Sequence, residues 1–192
     1  MPRDLGIDAV PPLHRPWDPD DSVDFHAARL LVLLRRCGEG SRYGVEGRTK
    51  LAKLDFFVRY PSFLQRARDR RRAEGESVSR WQARGAEVEA PMIRYRYGPW
   101  DPRYRQFLAF LEARQLIRVS VSRPERVSLT AAGRQLAEQI CTRPSFEPIV
   151  DRCDAIVGNL AALTGTPLKD LVYELIPIEV GDLPLRAEIQ PR

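Results

Sequence analysis

The sequence predicts a mainly α (α+β) chain, and three observations carry that expectation. Apolar residues recur at helical spacing in segments beginning near residues 23, 49, 62 and 102. Two short alternating runs, 117–121 and 126–129, then flank an Arg-Pro-Glu tip. Helical patterning returns at residue 131 and again from about residue 148. Helices, a hairpin and another helix follow in the order of a winged helix-turn-helix with a two-stranded wing, and the last segments add a C-terminal helical extension. The expected units are an extended arm over 1–22, a winged-helix domain over 23–143 and the helical extension over 144–192.

The arm carries Pro2, Pro11, Pro12, Pro16 and Pro19, each of which removes a donor and restricts its predecessor. Asp21 or Ser22 can cap the first helix, 23–37, whose Leu30, Val32, Leu33 and Leu34 are apolar over much of its girth. Gly38, Gly40, Gly44 and Gly47 make a flexible loop. Thr49 begins the second helix, with Leu51, Leu54, Phe57 and Val58 on one buried face. Pro61 ends it, and Ser62 is placed to cap a third helix.

Residues 75–91 read as an exposed loop, and 92–97 as a strand turned at Gly98-Pro99. Asp101 with Pro102 is a helix start, and the helix it opens sets Tyr104, Phe107, Leu108 and Leu111 on a core face. Thr130 caps the fifth helix. Beyond it, Ile149, Cys153, Ile156, Val157 and Leu160 share one apolar face, and Thr166-Pro167 opens a last helix.

Composition narrows the function classes. Apolar residues at 43% and charged residues at 30% suffice for a real core. No apolar run approaches the roughly 20 residues that span a bilayer, so a membrane-embedded protein is excluded. The acidic, proline-rich start has no apolar stretch of the secretory kind, so no signal peptide is expected there. Cys37, Cys141 and Cys153 are odd in number and far apart, which suits neither a disulfide framework nor a zinc site and points to a reduced, cytoplasmic setting. His14 and His26 are the only histidines, and no phosphate-binding loop or metal-ligand motif occurs. Cys37 sits at a helix C-terminus, where the dipole disfavours a thiolate. No catalytic residue, metal ligand, cofactor or small-molecule substrate is expected.

Charge is unevenly spread. Residues 59–126 carry +8 of a chain total of +5, with zero before them and −3 after. Lys50, Lys53 and Lys169 are the only lysines, and a GC-rich coding bias accounts for the preference for Arg. Three basic groups are candidates for nucleic acid or a partner protein. Arg66, Arg68, Arg70, Arg71 and Arg72 on the third helix could meet phosphates or an acidic surface, or simply form a solvated face. Arg103 and Arg105 open the fourth helix, where a recognition helix reads DNA, although only Gln106 stands beside them for base-specific contacts. Arg123 and Arg126 mark the wing tip, which in such folds enters the minor groove or meets a partner subunit. Around Gly98-Pro99, Tyr95, Tyr97, Trp100 and Tyr104 either pack a corner or, with Arg94 and Arg96, offer a stacking surface to RNA.

The runs TKLAKLDFFVRYPSFLQRA (49–67), IRYRYGPWDPRY (93–104), VSLTAAGRQLAE (127–138) and TGTPLKDLVYELIP (164–177) resemble the middle components of bacterial ABC three-component systems, the Lamassu type of anti-phage defence. The KLxKL and YGPW segments are similar to Panacea domains as well. The resemblance spans about residues 24–180. It implies a non-catalytic winged-helix adaptor between an SMC-like ATPase and an effector subunit of the same operon, with double-stranded DNA as a further contact. The rival expectation is a homodimeric winged-helix transcriptional regulator.

Overall fold

The computed structural model describes residues 22–38, 44–83, 92–96, 98–175 and 183–189. The expected arm, except Ser22, lies outside the described residues, as do residues 84–91 of the expected 75–91 loop and Tyr97. Among the described residues the chain is mainly helical, with a small antiparallel sheet and a separate hairpin. No helix there is long and apolar enough to cross a membrane.

Helix α1 (Val23–Cys37) begins where Ser22 Oγ accepts the backbone N–H of Phe25 at 3.2 Å, as its sequence predicts. Strand β1 (Val45–Glu46) was not visible in the glycine-rich loop. Helix α2 (Arg48–Arg59) follows, and α3 (Pro61–Ala73) starts directly on Pro61. Ser62 is therefore inside α3 rather than its cap. A proline suits the first helical position because its missing N–H is an orphan there anyway.

Strands β2 (Ile93–Tyr95) and β3 (Gly98–Trp100) pair as a tight hairpin with Arg94 opposite Pro99. Gly98 and Pro99 thus belong to the second strand rather than forming the turn expected there. Residues 186–189 run alongside β2: Arg94 N donates to Ala187 O at 2.8 Å, and Ile189 N to Met92 O at 2.7 Å. Helix α4 (Tyr104–Ala113) starts two residues later than expected. Asp101 folds the preceding turn instead, its Oδ1 accepting Arg103 N at 2.9 Å.

The expected hairpin is present as β4 (Ile117–Val119) and β5 (Arg126–Leu129), with Ile117 opposite Leu129. On its other edge β5 pairs with β1, so the sheet order is β1-β5-β4. Helix α5 (Ala131–Cys141) then leaves the sheet, capped by Thr130 Oγ1 on Gly133 N at 3.0 Å. A Cβ on Gly133 would come within 1.8 Å of Leu116 O, so only glycine lets α5 lie this close to the start of β4.

Helices α6 (Glu147–Val157) and α7 (Gly165–Leu175) close the molecule. The α6 helix stops short of its apolar pattern, and Val157, expected on the buried face, is 42% exposed. Residue 143 marks no break in the core. Ile149, Cys153 and Ile156 of α6, with Leu168 and Val172 of α7, share one buried cluster with Leu30, Leu51 and Phe107. Within it α1 packs on α4, α5 and α6, while α2 packs on α3, α6, α7 and β3.

Candidate functional site

The second helix is buried all round, from Lys50 to Arg59, rather than on one face. Charged groups can be enclosed only where other elements supply partners. Asp55, fully buried, accepts Arg29 Nε at 2.7 Å and Nη2 at 3.1 Å from α1, together with the Tyr104 hydroxyl from α4. Arg29 Nη1 lies 2.9 Å from His26 Nδ1, and the His26 ring stacks on Phe107 at 4.7 Å. One turn along α2, Arg59 Nη1 donates to Asp101 Oδ2 at 2.9 Å, and Arg103 Nε and Nη2 reach the same carboxylate.

Burial by itself would raise the Asp55 carboxyl. The charges of Arg29 and Arg59 and the hydrogen bonds of Arg29 and Tyr104 hold it below the usual range instead. Asp101 follows the same logic: burial pushes it up, and Arg103 and Arg59 bring it down to about 2.

Other buried cations find backbone carbonyls. Arg152 Nη1 donates to Val58 O at 3.1 Å, in the last turn of α2, and Arg68 Nη1 donates to Ala155 O, in the last turn of α6. The helix ends leave these carbonyls without intrahelical partners, and buried guanidinium groups supply them. Lys50 Nζ donates to Ala161 O at 2.7 Å, and Lys53 Nζ to Thr49 O at 3.3 Å. Burial, with Lys169 adding repulsion, pulls the Lys53 ammonium down to about 8. The KLxKL motif and the arginine that follows it are therefore built into the core.

The basic cluster of α3 is largely engaged within the chain. Arg68 is buried, so it is not a surface contact, and its Nη2 donates to Ser79 O at 2.8 Å. Arg70 pairs with Glu74 and with Glu174 of α7, Arg71 with Glu74 and Glu76, and Arg72 with Asp69. The Arg66 guanidinium lies over the Phe63 ring at 5.2 Å. The acidic residues of the C-terminal extension answer in kind: Asp154 pairs with Arg36, and Asp151 accepts Trp81 Nε1 at 2.7 Å.

On the α4 and hairpin side the basic residues are more open. Arg103 is committed to Asp101 and covers Phe107 at 5.4 Å. Arg126 N donates to Ser120 Oγ at 2.9 Å. Arg105, Arg118 and Arg123 are exposed and carry no ion pair among the described residues. Arg118 was not singled out from the sequence, although its alternation in β4 sets it opposite the buried Ile117 side. The tip itself is tied down: Glu125 accepts Arg48 Nε at 2.9 Å and Nη2 at 2.7 Å, and Gly47 N donates to Glu125 O at 2.7 Å.

Between the β2–β3 hairpin and the starts of α2 and α4 lies a cleft of about 650 Å³. Arg48, Arg105 and Arg186 border it, with Tyr95, Trp100 and Thr49, and no carboxylate lines it among the described residues. Tyr95 is 46% exposed, and its ring lies 6.2 Å from that of Trp100. Trp100 rests on Tyr104 at 5.0 Å, which is the corner packing considered for these aromatics. Neither Arg48 nor Arg186 was a candidate from the sequence, because their approach depends on tertiary structure.

Burial pushes the Cys37 thiol up to about 12 and raises that of Cys153 as well, so both are protonated thiols at neutral pH. No three His, Cys, Asp or Glu side chains converge into a metal-binding group among the described residues. Comparison of the chain with protein-family models, curated proteins and solved structures finds no match.

Proposed function

We propose that the chain is a non-catalytic winged-helix adaptor, joining an SMC-like ATPase to an effector in an anti-phage defence complex and touching double-stranded DNA as it does so. The observation that carries the reading is the sheet order β1-β5-β4 beside α1, α2 and α4. A short first strand pairing with the central strand β5, behind a helix that leads into the β4–β5 hairpin, supports a winged-helix reading. In that reading α3 and the β2–β3 hairpin would be an insertion between its second and third helices, α2 and α4.

DNA contact in this reading falls to Arg105 on α4 and to Arg118 and Arg123 on the wing, since the α3 arginines are engaged inside the chain. The ATPase and effector as partners rest on the resemblance of the four sequence runs. Co-expression with the neighbouring operon products tests the adaptor role: a complex that survives size-exclusion chromatography is expected, and its absence overturns the reading. For the DNA contact, each phosphate neutralised adds about 0.9 to the logarithmic salt slope. Charge reversal at Arg105, Arg118 and Arg123 should flatten that slope while leaving the protein complex intact.

A further inference from the structure

We propose that the cleft beside the β2–β3 hairpin binds a nucleoside phosphate, its base laid against Tyr95 and Trp100 and its phosphate held by Arg48, Arg105 and Arg186. The site does not need the ATPase or effector as partners, but it shares Arg105 with the DNA contact proposed above, whereas Arg186 belongs to the cleft alone. At about 650 Å³ the cleft falls within the size range of small-ligand sites. Its lining divides into the two chemistries such a ligand needs. Aromatic faces accept any base by stacking, and guanidinium forks match phosphate oxygens.

The site is also held in place before a ligand arrives. Glu125 fixes the Arg48 guanidinium through Nε and Nη2, and Nη1 is not engaged there. Trp100 is backed by Tyr104, whose hydroxyl is bound to the buried Asp55. Arg186 sits at φ 73°, a left-handed conformation that a side chain other than glycine rarely adopts, and its N–H is fixed on Arg94 O at 2.7 Å. Arg105 and Arg186, beside an Arg48 already paired with Glu125 and with no carboxylate among the described lining residues, favour an anionic ligand over a neutral one. The same chemistry is offered by a free nucleotide and by a 5′-phosphorylated end of single-stranded DNA.

Calorimetric titration of the full chain with AMP, with a short 5′-phosphorylated single-stranded oligonucleotide and with inorganic phosphate tests the proposal. Saturable binding of AMP, of the oligonucleotide or of both, tighter than phosphate, is the expected result. Binding of AMP assigns a free nucleotide, and binding of the oligonucleotide alone assigns a strand end. Arg105→Ala and Arg186→Gly should each weaken it about tenfold. Tyr95→Ala should weaken it while Tyr95→Phe does not, and Arg114→Ala, a charge change just beyond the C-terminus of α4, should leave it unaltered. Melting curves check that each variant folds, and the wild-type comparison of AMP with phosphate decides the matter even if one does not. No binding by any probe overturns the proposal, as does phosphate binding as tightly as AMP. Equal competition by a Glu–Tyr peptide overturns it in favour of a protein ligand.

Discussion

Arg29 of α1 grips Asp55 of α2 with two donors, at 2.7 and 3.1 Å, and neither side chain reaches solvent. The pair locks the two central helices in one register, and Tyr104 extends the lock to α4. A buried pair of this kind contributes little over a well-packed apolar one, yet breaking it strands a charge. Arg29→Met should cost about 3–5 kcal/mol, and Tyr104→Phe about 1 kcal/mol, both read from denaturant midpoints.

Acid sensitivity follows from the same carboxylates. Asp101 in the folded chain titrates at about 2, below the roughly 3.9 of an unfolded aspartate. Its stabilisation is therefore complete above about pH 4 and is lost as the pH falls towards about 2. Asp55 acts in the same direction. Wild-type stability should fall across this window, and Asp101→Asn should flatten that part of the profile.

Lys53 opposes folding at neutral pH rather than supporting it. Its ammonium is held down to about 8 by burial, against roughly 10.4 when unfolded. Between those values the unfolded chain binds more protons, so this group's contribution to stability rises with pH. Lys53→Met should raise the melting temperature at pH 7 by a few degrees, about 2–4 °C per kcal/mol gained. It should also remove the alkaline rise.

Close approach at the foot of α5 makes Gly133 intolerant. Gly133→Ala should destabilise by about 3 kcal/mol, because the new methyl meets a backbone oxygen rather than a movable side chain. Thr130→Ala should cost about 1 kcal/mol through loss of the cap. Thermal melts of the two variants separate the contributions.

Within α3, neighbouring arginines should behave differently. Arg68→Met removes donors from Ala155 O and Ser79 O inside the fold and should cost about 2–4 kcal/mol. Arg72→Ala releases an exposed ion pair and should shift stability by about 1 kcal/mol or less.

Local signals carried much of the fold. Ser22 and Thr130 announce α1 and α5 because caps act within three residues. Ile117 to Val119 and Arg126 to Leu129 announce the hairpin through alternation alone. What stayed hidden depends on distant partners. Strand β1 is two residues long, and its mates, Arg126 and Val127, lie some eighty positions on. The burial of α2 was obscured by its charges, since nothing local reveals that Arg29, Tyr104 and Ala161 O will meet them. A signal existed in Asp55, a lone carboxylate inside an apolar run, where a charge endures only with a partner. The cleft was half legible: Tyr95, Trp100 and Arg105 were singled out, whereas Arg48 and Arg186 converge on it from distant segments.

Glu125 gives the hairpin a mechanical character. Because it clasps the opening turn of α2, a tug on the tip at Arg123 is transmitted within two residues to the central helix. The β4–β5 hairpin is braced on the body of the molecule, and whatever seizes its end takes hold of the interior too.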